Sequence, residues 1–172
     1  MYLITAYFDL TTNKILQKYI DDIAEVSGNG FMVDNHVPPH LTISAIEAKS
    51  VDVLVPAFES LRERFKTGQI EIVTIGQIMP KVIFASPYLN SYLHELSTDI
   101  FEAYKDIPET TISKYYKPLS WMPHITLGKT LTPEQMQKAF KAAQNFKPFN
   151  AEIVKLGLAK VNPHKNVAII EK

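Results

Sequence analysis

Cysteine is absent from the 172 residues. That excludes a disulfide framework, a thiolate zinc site and a cysteine nucleophile. Neither sign of charge is in excess: 18 Lys and Arg balance 18 Asp and Glu, for a formal net charge of +0. A chain held to nucleic acid mainly by phosphate neutralisation carries a basic surplus, so any basic surface here is local. Glycine is sparse, at six residues, and no phosphate-cradling glycine loop is present, so ATP use is not indicated. No apolar run reaches the roughly 18 residues needed to cross a bilayer. The start, Met1 to Asp9, lacks the positive region of a signal peptide and reads as a strand. No membrane partner is expected, and the expected location is cytoplasmic. With 46% hydrophobic residues, the length suits one domain, or two small lobes sharing a cleft.

The periodicities then give an order of elements. Tyr2 to Phe8 is rich in β-branched and aromatic residues and reads as a strand. Thr11 and Thr12 are the expected N-caps of a helix carrying Ile15, Leu16, Tyr19, Ile20 and Ile23 at helical spacing. After Pro38 and Pro39, which cannot continue a helix, His40 to Ala45 reads as a short strand. Leu54, Phe58, Leu61 and Phe65 form the stripe of a second helix. Strands follow at residues 70–75 and 82–85, and a helix from about Leu89 to Tyr104. Lys105 to Trp121 shows no clear period, and a connection of that length is often a lid or binding loop. A strand from Met122 to Leu127, a helix from Pro133 to Asn145, and strands at residues 152–161 and 167–170 complete the chain. Paired strands between helices indicate α+β.

An internal repeat lies under this order. Pro39-His40-Leu41-Thr42-Ile43 returns as Pro123-His124-Ile125-Thr126-Leu127, at an offset of 84 positions. Glu71 to Gly76 returns as Glu152 to Gly157, at an offset of 81. We read residues 1–172 as a single domain of two repeats, roughly 1–79 and 80–172. The repeats form two pseudo-symmetric lobes of mostly antiparallel sheet, flanked by helices, around a central cleft.

Side chains two apart on a strand share a face. His40 and Thr42 therefore face together while Leu41 and Ile43 face the opposite way, and His124 and Thr126 repeat the arrangement. Two lobes then present two imidazoles and two hydroxyls to one volume. Imidazole titrates near pH 6.5, so one ring can accept a proton while the other donates one. Threonine hydroxyls donate to non-bridging phosphate oxygens. This set suffices to cleave a phosphodiester with no metal and no cofactor. One His-x-Thr arises by chance in such a chain with a probability on the order of 0.2. A second copy, also preceded by proline and embedded in a wider repeat, does not fit chance.

The two Pro-His-hydrophobic-Thr-hydrophobic segments resemble the two-histidine (2H) phosphoesterase superfamily, specifically its 2'-5' RNA ligase-like members. The run Trp121 to Leu127 looks particularly like the second motif of bacterial members. The resemblance implies a bilobed α+β fold and a metal-independent reaction on 2',3'-cyclic phosphates or 2'-5' phosphodiester bonds. It implies His40 and His124 as the acid–base pair and Thr42 and Thr126 as the phosphate-holding residues. The substrate would be a nucleotide or an RNA terminus, and the balanced charge favours a small or terminal nucleotide over long RNA. Ligation would run the same site in reverse. The alternative is a non-catalytic module that binds RNA ends or nucleotides with the same fold. A monomer is expected.

Further candidates are weaker. Ser44 continues the cleft-facing alternation, and Lys129 lies just past the second motif. Tyr115, Tyr116 and Trp121 sit in or beside the long connection, where they could stack on a base or simply pack, with Trp121 bracing the strand. His36 and His40 are four apart, but Pro38 and Pro39 bar the helix that would pair them on a metal. His94 and His164, the latter in an Asn-Pro-His-Lys turn, read as surface residues.

Overall fold

The structure is a computed structural model that describes residues 1–161 and 163–172. Asn162, part of the Asn-Pro-His-Lys turn, lies outside the described residues. The first repeat carries β1 (Tyr2–Phe8), α1 (Leu10–Ser27), α2 (Phe31–Asp34), β2 (Leu41–Glu47), α3 (Val55–Ser60) and β3 (Gly68–Ile78). The second carries β4 (Val82–Pro87), α4 (Ser91–Tyr104), β5 (Thr111–Ile112), a 3₁₀ turn at Lys114–Tyr116, β6 (Ile125–Gly128), α5 (Pro133–Ala142) and β7 (Phe149–Lys160). β8 (Lys165–Glu171) follows. Among the described residues no helix is long and apolar enough to cross a membrane.

The strands form one antiparallel sheet in the order β1-β2-β6-β4-β3-β7-β8, with β1 also pairing β7. Six strands thus return on themselves, and the class is α+β with helices flanking a large antiparallel sheet. The repeat maps onto this ring as a two-fold. β1 corresponds to β4, β2 to β6 and β3 to β7, so β2–β6 and β3–β7 are each a strand paired with its own copy. Their registers agree with the sequence offsets. β2 meets β6 at Leu41 opposite Ile125, which are 84 positions apart like the two histidines. β3 meets β7 with Ile70 opposite Ala151, 81 apart like the two copies of the later strand. The pseudo-two-fold axis therefore runs through these two residue pairs.

The helices interlock the repeats. α1 packs on β6 and α5, both of the second repeat, while α4 packs on β2 and α3, both of the first. On α1 the inward residues Leu16, Ile20 and Ile23 are buried, as their spacing requires. The cap differs from expectation: Asp9 accepts from the backbone N–H of Thr11 at 2.8 Å and of Thr12 at 3.0 Å. Asp9 Oδ2 also takes the Glu152 N–H at 3.2 Å, so the same carboxylate ties the start of α1 to β7. A threonine one turn inside the helix could not make that link. Leu54, Phe58, Leu61 and Phe65 are all buried as predicted, although only Val55–Ser60 is α-helical.

The connection from Lys105 to Trp121 is tied down along β2. β6 reaches β2 only at Leu41, which would leave the rest of that edge with unpaired backbone groups. β5 pairs Ile112 with Ile46 and Thr111 with Glu47, and Ser113 N–H donates to the Ala45 carbonyl at 2.9 Å. The Trp121 indole N–H donates to the Thr42 carbonyl at 3.1 Å. This segment is therefore a seal on the motif strand.

Trp121→Phe keeps the buried ring but removes that hydrogen bond. It should cost about 1 kcal/mol, read as a lower urea midpoint with an unchanged slope.

Candidate active site

The register of β2 and β6 assembles the four motif residues. With Leu41 opposite Ile125 in an antiparallel pair, continuing one residue each way sets His40 opposite Thr126 and Thr42 opposite His124. Each histidine thus faces the threonine of the other repeat, and the four side chains share one face across the pseudo-two-fold axis. The apolar neighbours Leu41, Ile43, Ile125 and Leu127 are each 0–1% exposed and anchor the pair from the other face.

The prolines set the imidazoles. His40 and His124 each precede their strand, because β2 begins at Leu41 and β6 at Ile125. The sequence reading placed both inside the strand. Proline has no N–H for a ladder, fixes its own φ and pushes the residue before it towards extended backbone. The carbonyl of that earlier residue is then free for the ring: His40 Nδ1 lies 2.8 Å from the Pro38 oxygen, and His124 Nδ1 lies 2.9 Å from the Met122 oxygen. A carbonyl only accepts, so both Nδ1 atoms carry hydrogen. Each neutral ring therefore keeps its lone pair on Nε2. Both repeats prepare the same tautomer by the same two-residue loop-back.

An aromatic ring also lies beside each imidazole, from positions that are not equivalent in the repeat, since the registers match Phe84 with Thr5. Phe84 lies edge-on to His124 with centroids 5.7 Å apart, and Tyr7 lies 6.2 Å from His40. Both aromatic rings need a glycine on the next strand. A Cβ on Gly76 would stand 2.5 Å from Phe84 Cζ, and one on Gly157 would stand 2.8 Å from Tyr7 Cε2. Gly76 and Gly157 are equivalent in the repeat, and each leaves room for an aromatic ring.

The symmetry ends at His164. Its ring lies against His40 with centroids 4.6 Å apart and an interplanar angle of 31°. His164 Nε2 is 2.9 Å from the Tyr7 hydroxyl, which itself donates to Asn166 Oδ1 at 2.8 Å. His124 has Phe84 beside it, and no third imidazole stacks on it among the described residues. Burial pushes the His40 pKa down to about 4, against the raising effect of its bond to Pro38. The charges of His164, His124 and Lys129 push in the same direction as burial. Burial also lowers His164. Sequence reasoning placed His164 on the surface. The hairpin of β7 and β8 instead folds it inward, half-buried. His94 is likewise half-buried on α4, with its Nδ1 enclosed and without a partner among the described residues.

The other expected residues divide. Trp121, 5% exposed, braces β2 through the Thr42 carbonyl and offers no free face for stacking. Ser44 is not part of the open row: the register of β1 and β2 slips between Ile4 and Thr5, which breaks the alternation, and the Ser44 hydroxyl is buried with no partner among the described residues. Lys129 is exposed, with its ammonium 5.7 Å from the centre of the Phe31 ring, and its charge reaches His40. Tyr115 is exposed beneath the Lys114 ammonium, whereas Tyr116 is half-buried against the core.

Two outcomes follow from this geometry. Folding holds His40 neutral below its ordinary value, so between about 6.5 and about 4 the unfolded chain binds a proton that the folded one refuses. Stability is therefore present above that window and lost as pH falls through it. His40→Asn should flatten the fall of Tm between pH 7 and pH 4 relative to the parent chain. Gly76→Ala should cost about 1–3 kcal/mol by overpacking against the Phe84 ring, measured by denaturant unfolding.

Comparison with known proteins gives the family and the fold. The family model of the 2'-5' RNA ligase superfamily matches residues 16–164, a span that includes both motifs. A solved structure described as a phosphoesterase superimposes with a TM-score of 0.58 at 12% identity, covering 99% of this chain and 98% of that one. Kluyveromyces marxianus Usb1 gives a TM-score of 0.48 at 10% identity, over 98% of this chain and 95% of that one. At such identities the likeness concerns the fold alone. None of the curated proteins matches the chain. With most of its length and both His-x-Thr segments inside the match, the chain belongs to the 2'-5' RNA ligase superfamily of two-histidine phosphoesterases.

Proposed function

We propose that the protein is a metal-independent phosphoesterase that opens 2',3'-cyclic phosphates, or cleaves 2'-5' phosphodiester bonds, at RNA ends or in small nucleotides. What supports this reading is the Leu41–Ile125 pairing, from which strand geometry sets a quartet, His40 beside Thr126 and Thr42 beside His124, together with the two Nδ1 contacts that leave each Nε2 for a substrate. An anionic phosphoryl group fits between two such rings, with the threonine hydroxyls donating to its non-bridging oxygens.

The step balances within the quartet. One Nε2 takes a proton from water as the water oxygen bonds to phosphorus. The other imidazole, charged, gives its Nε2 proton to the departing ribose oxygen as that P–O bond breaks. The product is a monoester with a free ribose hydroxyl, and proton exchange with solvent resets the rings. The bound anion supplies the opposite charge that favours imidazolium and offsets the cost of burying it. With a ribose hydroxyl attacking in place of water, the same site forms a 2'-5' bond.

Purified protein should turn over a 2',3'-cyclic nucleotide in excess EDTA. His40→Ala and His124→Ala should each lose about 10²–10⁴ of that rate, and the double variant should lose well short of the product. Thr42→Val and Thr126→Val should each cost about 1.5–3 kcal/mol of transition-state stabilisation, the range for a hydrogen bond to a charged group. Nucleotide binding without turnover would assign the chain to the non-catalytic alternative. Activity lost to chelator and restored by a divalent ion would overturn the two-histidine chemistry.

A further inference from the structure

The quartet is symmetric, and by itself it does not say which histidine is the base. His164 breaks that tie. It comes from the β7–β8 turn, outside both motifs, yet stacks on His40 at 4.6 Å. It is held there by the Tyr7 hydroxyl at 2.9 Å, and Tyr7 is in turn fixed by Asn166 at 2.8 Å and by the space over Gly157. Gly157 from β7 and Asn166 from β8 thus fix Tyr7 of β1, and Tyr7 holds His164 of the turn against the His40 ring. We propose that His164 is a positioning residue, clamping the His40 imidazole so that His40 serves as the base and His124 as the acid.

This rests on the phosphoesterase reading above. The physical case has two parts. First, an imidazole lying over His40 keeps water from that face and restricts rotation of the ring about its bond to Pro38. Second, two imidazoles this close repel when both are charged. The groups facing His40 are Tyr7 from β1, His164 from the β7–β8 turn, His124 at the entry to β6 and Lys129 beyond it. None is acidic. Apart from the bond to Pro38, the surroundings of His40 thus disfavour its protonation in the free enzyme, whereas on the other side of the phosphate site the aromatic neighbour of His124 is the uncharged Phe84.

Histidine ¹⁵N NMR titration and pH–rate profiles on a 2',3'-cyclic nucleotide test this in the full chain, His164→Ala and His164→Phe. His40 in the parent chain should titrate near its value of about 4 and show the Nδ1–H tautomer. In His164→Ala its midpoint should rise towards the ordinary 6.5, the acid limb of kcat should rise with it, and plateau kcat should fall about tenfold with KM little moved. His164→Phe restores the ring contact and should return the midpoint and most of kcat. A His164→Ala protein whose His40 midpoint and acid limb match the parent would overturn the proposal, as would titration of His40 above His124 in the parent. The NMR arm needs no turnover. If no form cleaves the cyclic nucleotide, the phosphoesterase reading falls, while the titration still decides whether His164 governs His40.

Discussion

One backbone pairing carries the site: Leu41 opposite Ile125, where the first strand of one motif meets its copy. Without it the two histidine–threonine pairs would belong to separate repeats with no fixed spacing. Because side chains alternate along a strand, a slip of one residue would turn the moving strand's motif residues into the core and its apolar residues out. Burial of Leu41 and Ile125, both 0% exposed, opposes that slip. Helices α1 and α4 add to it by packing across on the other repeat's motif strand. The hydrophobic core therefore sets not only stability but the distance and facing of four polar side chains.

On that symmetric frame the two imidazoles are prepared alike and then made different. Proline and the loop-back to the carbonyl two residues earlier give both rings the same tautomer. A glycine on the adjoining strand admits an aromatic ring beside each. The two aromatics come from non-equivalent positions of the repeat and carry different groups. Phe84 ends in carbon, whereas Tyr7 ends in a hydroxyl that recruits His164 and Asn166. A duplicated scaffold delivers two equal groups, and one added hairpin makes them chemically unequal. Acid–base catalysis needs that inequality, since a base and an acid of the same environment would compete for the same state.

The α+β class and most elements were legible in sequence because each depends on local periodicity or on the repeat, and the repeat also singled out the four motif residues as candidates. Leu16, Ile20 and Ile23 announced their helix face, and the offsets of 84 and 81 anticipated both self-pairings. What escaped depends on contacts between distant positions. His164 and His40 are 124 residues apart, and nothing in a four-residue turn shows where its hairpin will fold. The slip that removes Ser44 from the open row arises from pairing with β1 and leaves no mark on the β2 sequence. Asp9 outcompeted Thr11 and Thr12 as the cap because it also satisfies the Glu152 N–H across the sheet. The glycines at 76 and 157 were visible as repeated letters, but their reason lies in rings on other strands.

The central claim is that both imidazoles flank one phosphoryl group. A crystal structure with a bound nucleoside 2'-monophosphate tests it most directly. The account predicts phosphorus on the pseudo-two-fold axis, with Nε2 of His40 and Nε2 of His124 on opposite sides and each within about 2.7–3.2 Å of a phosphate oxygen. The Thr42 and Thr126 hydroxyls should donate to the remaining oxygens. A phosphate held elsewhere on the protein, or touching one histidine while the other faces solvent, would contradict it.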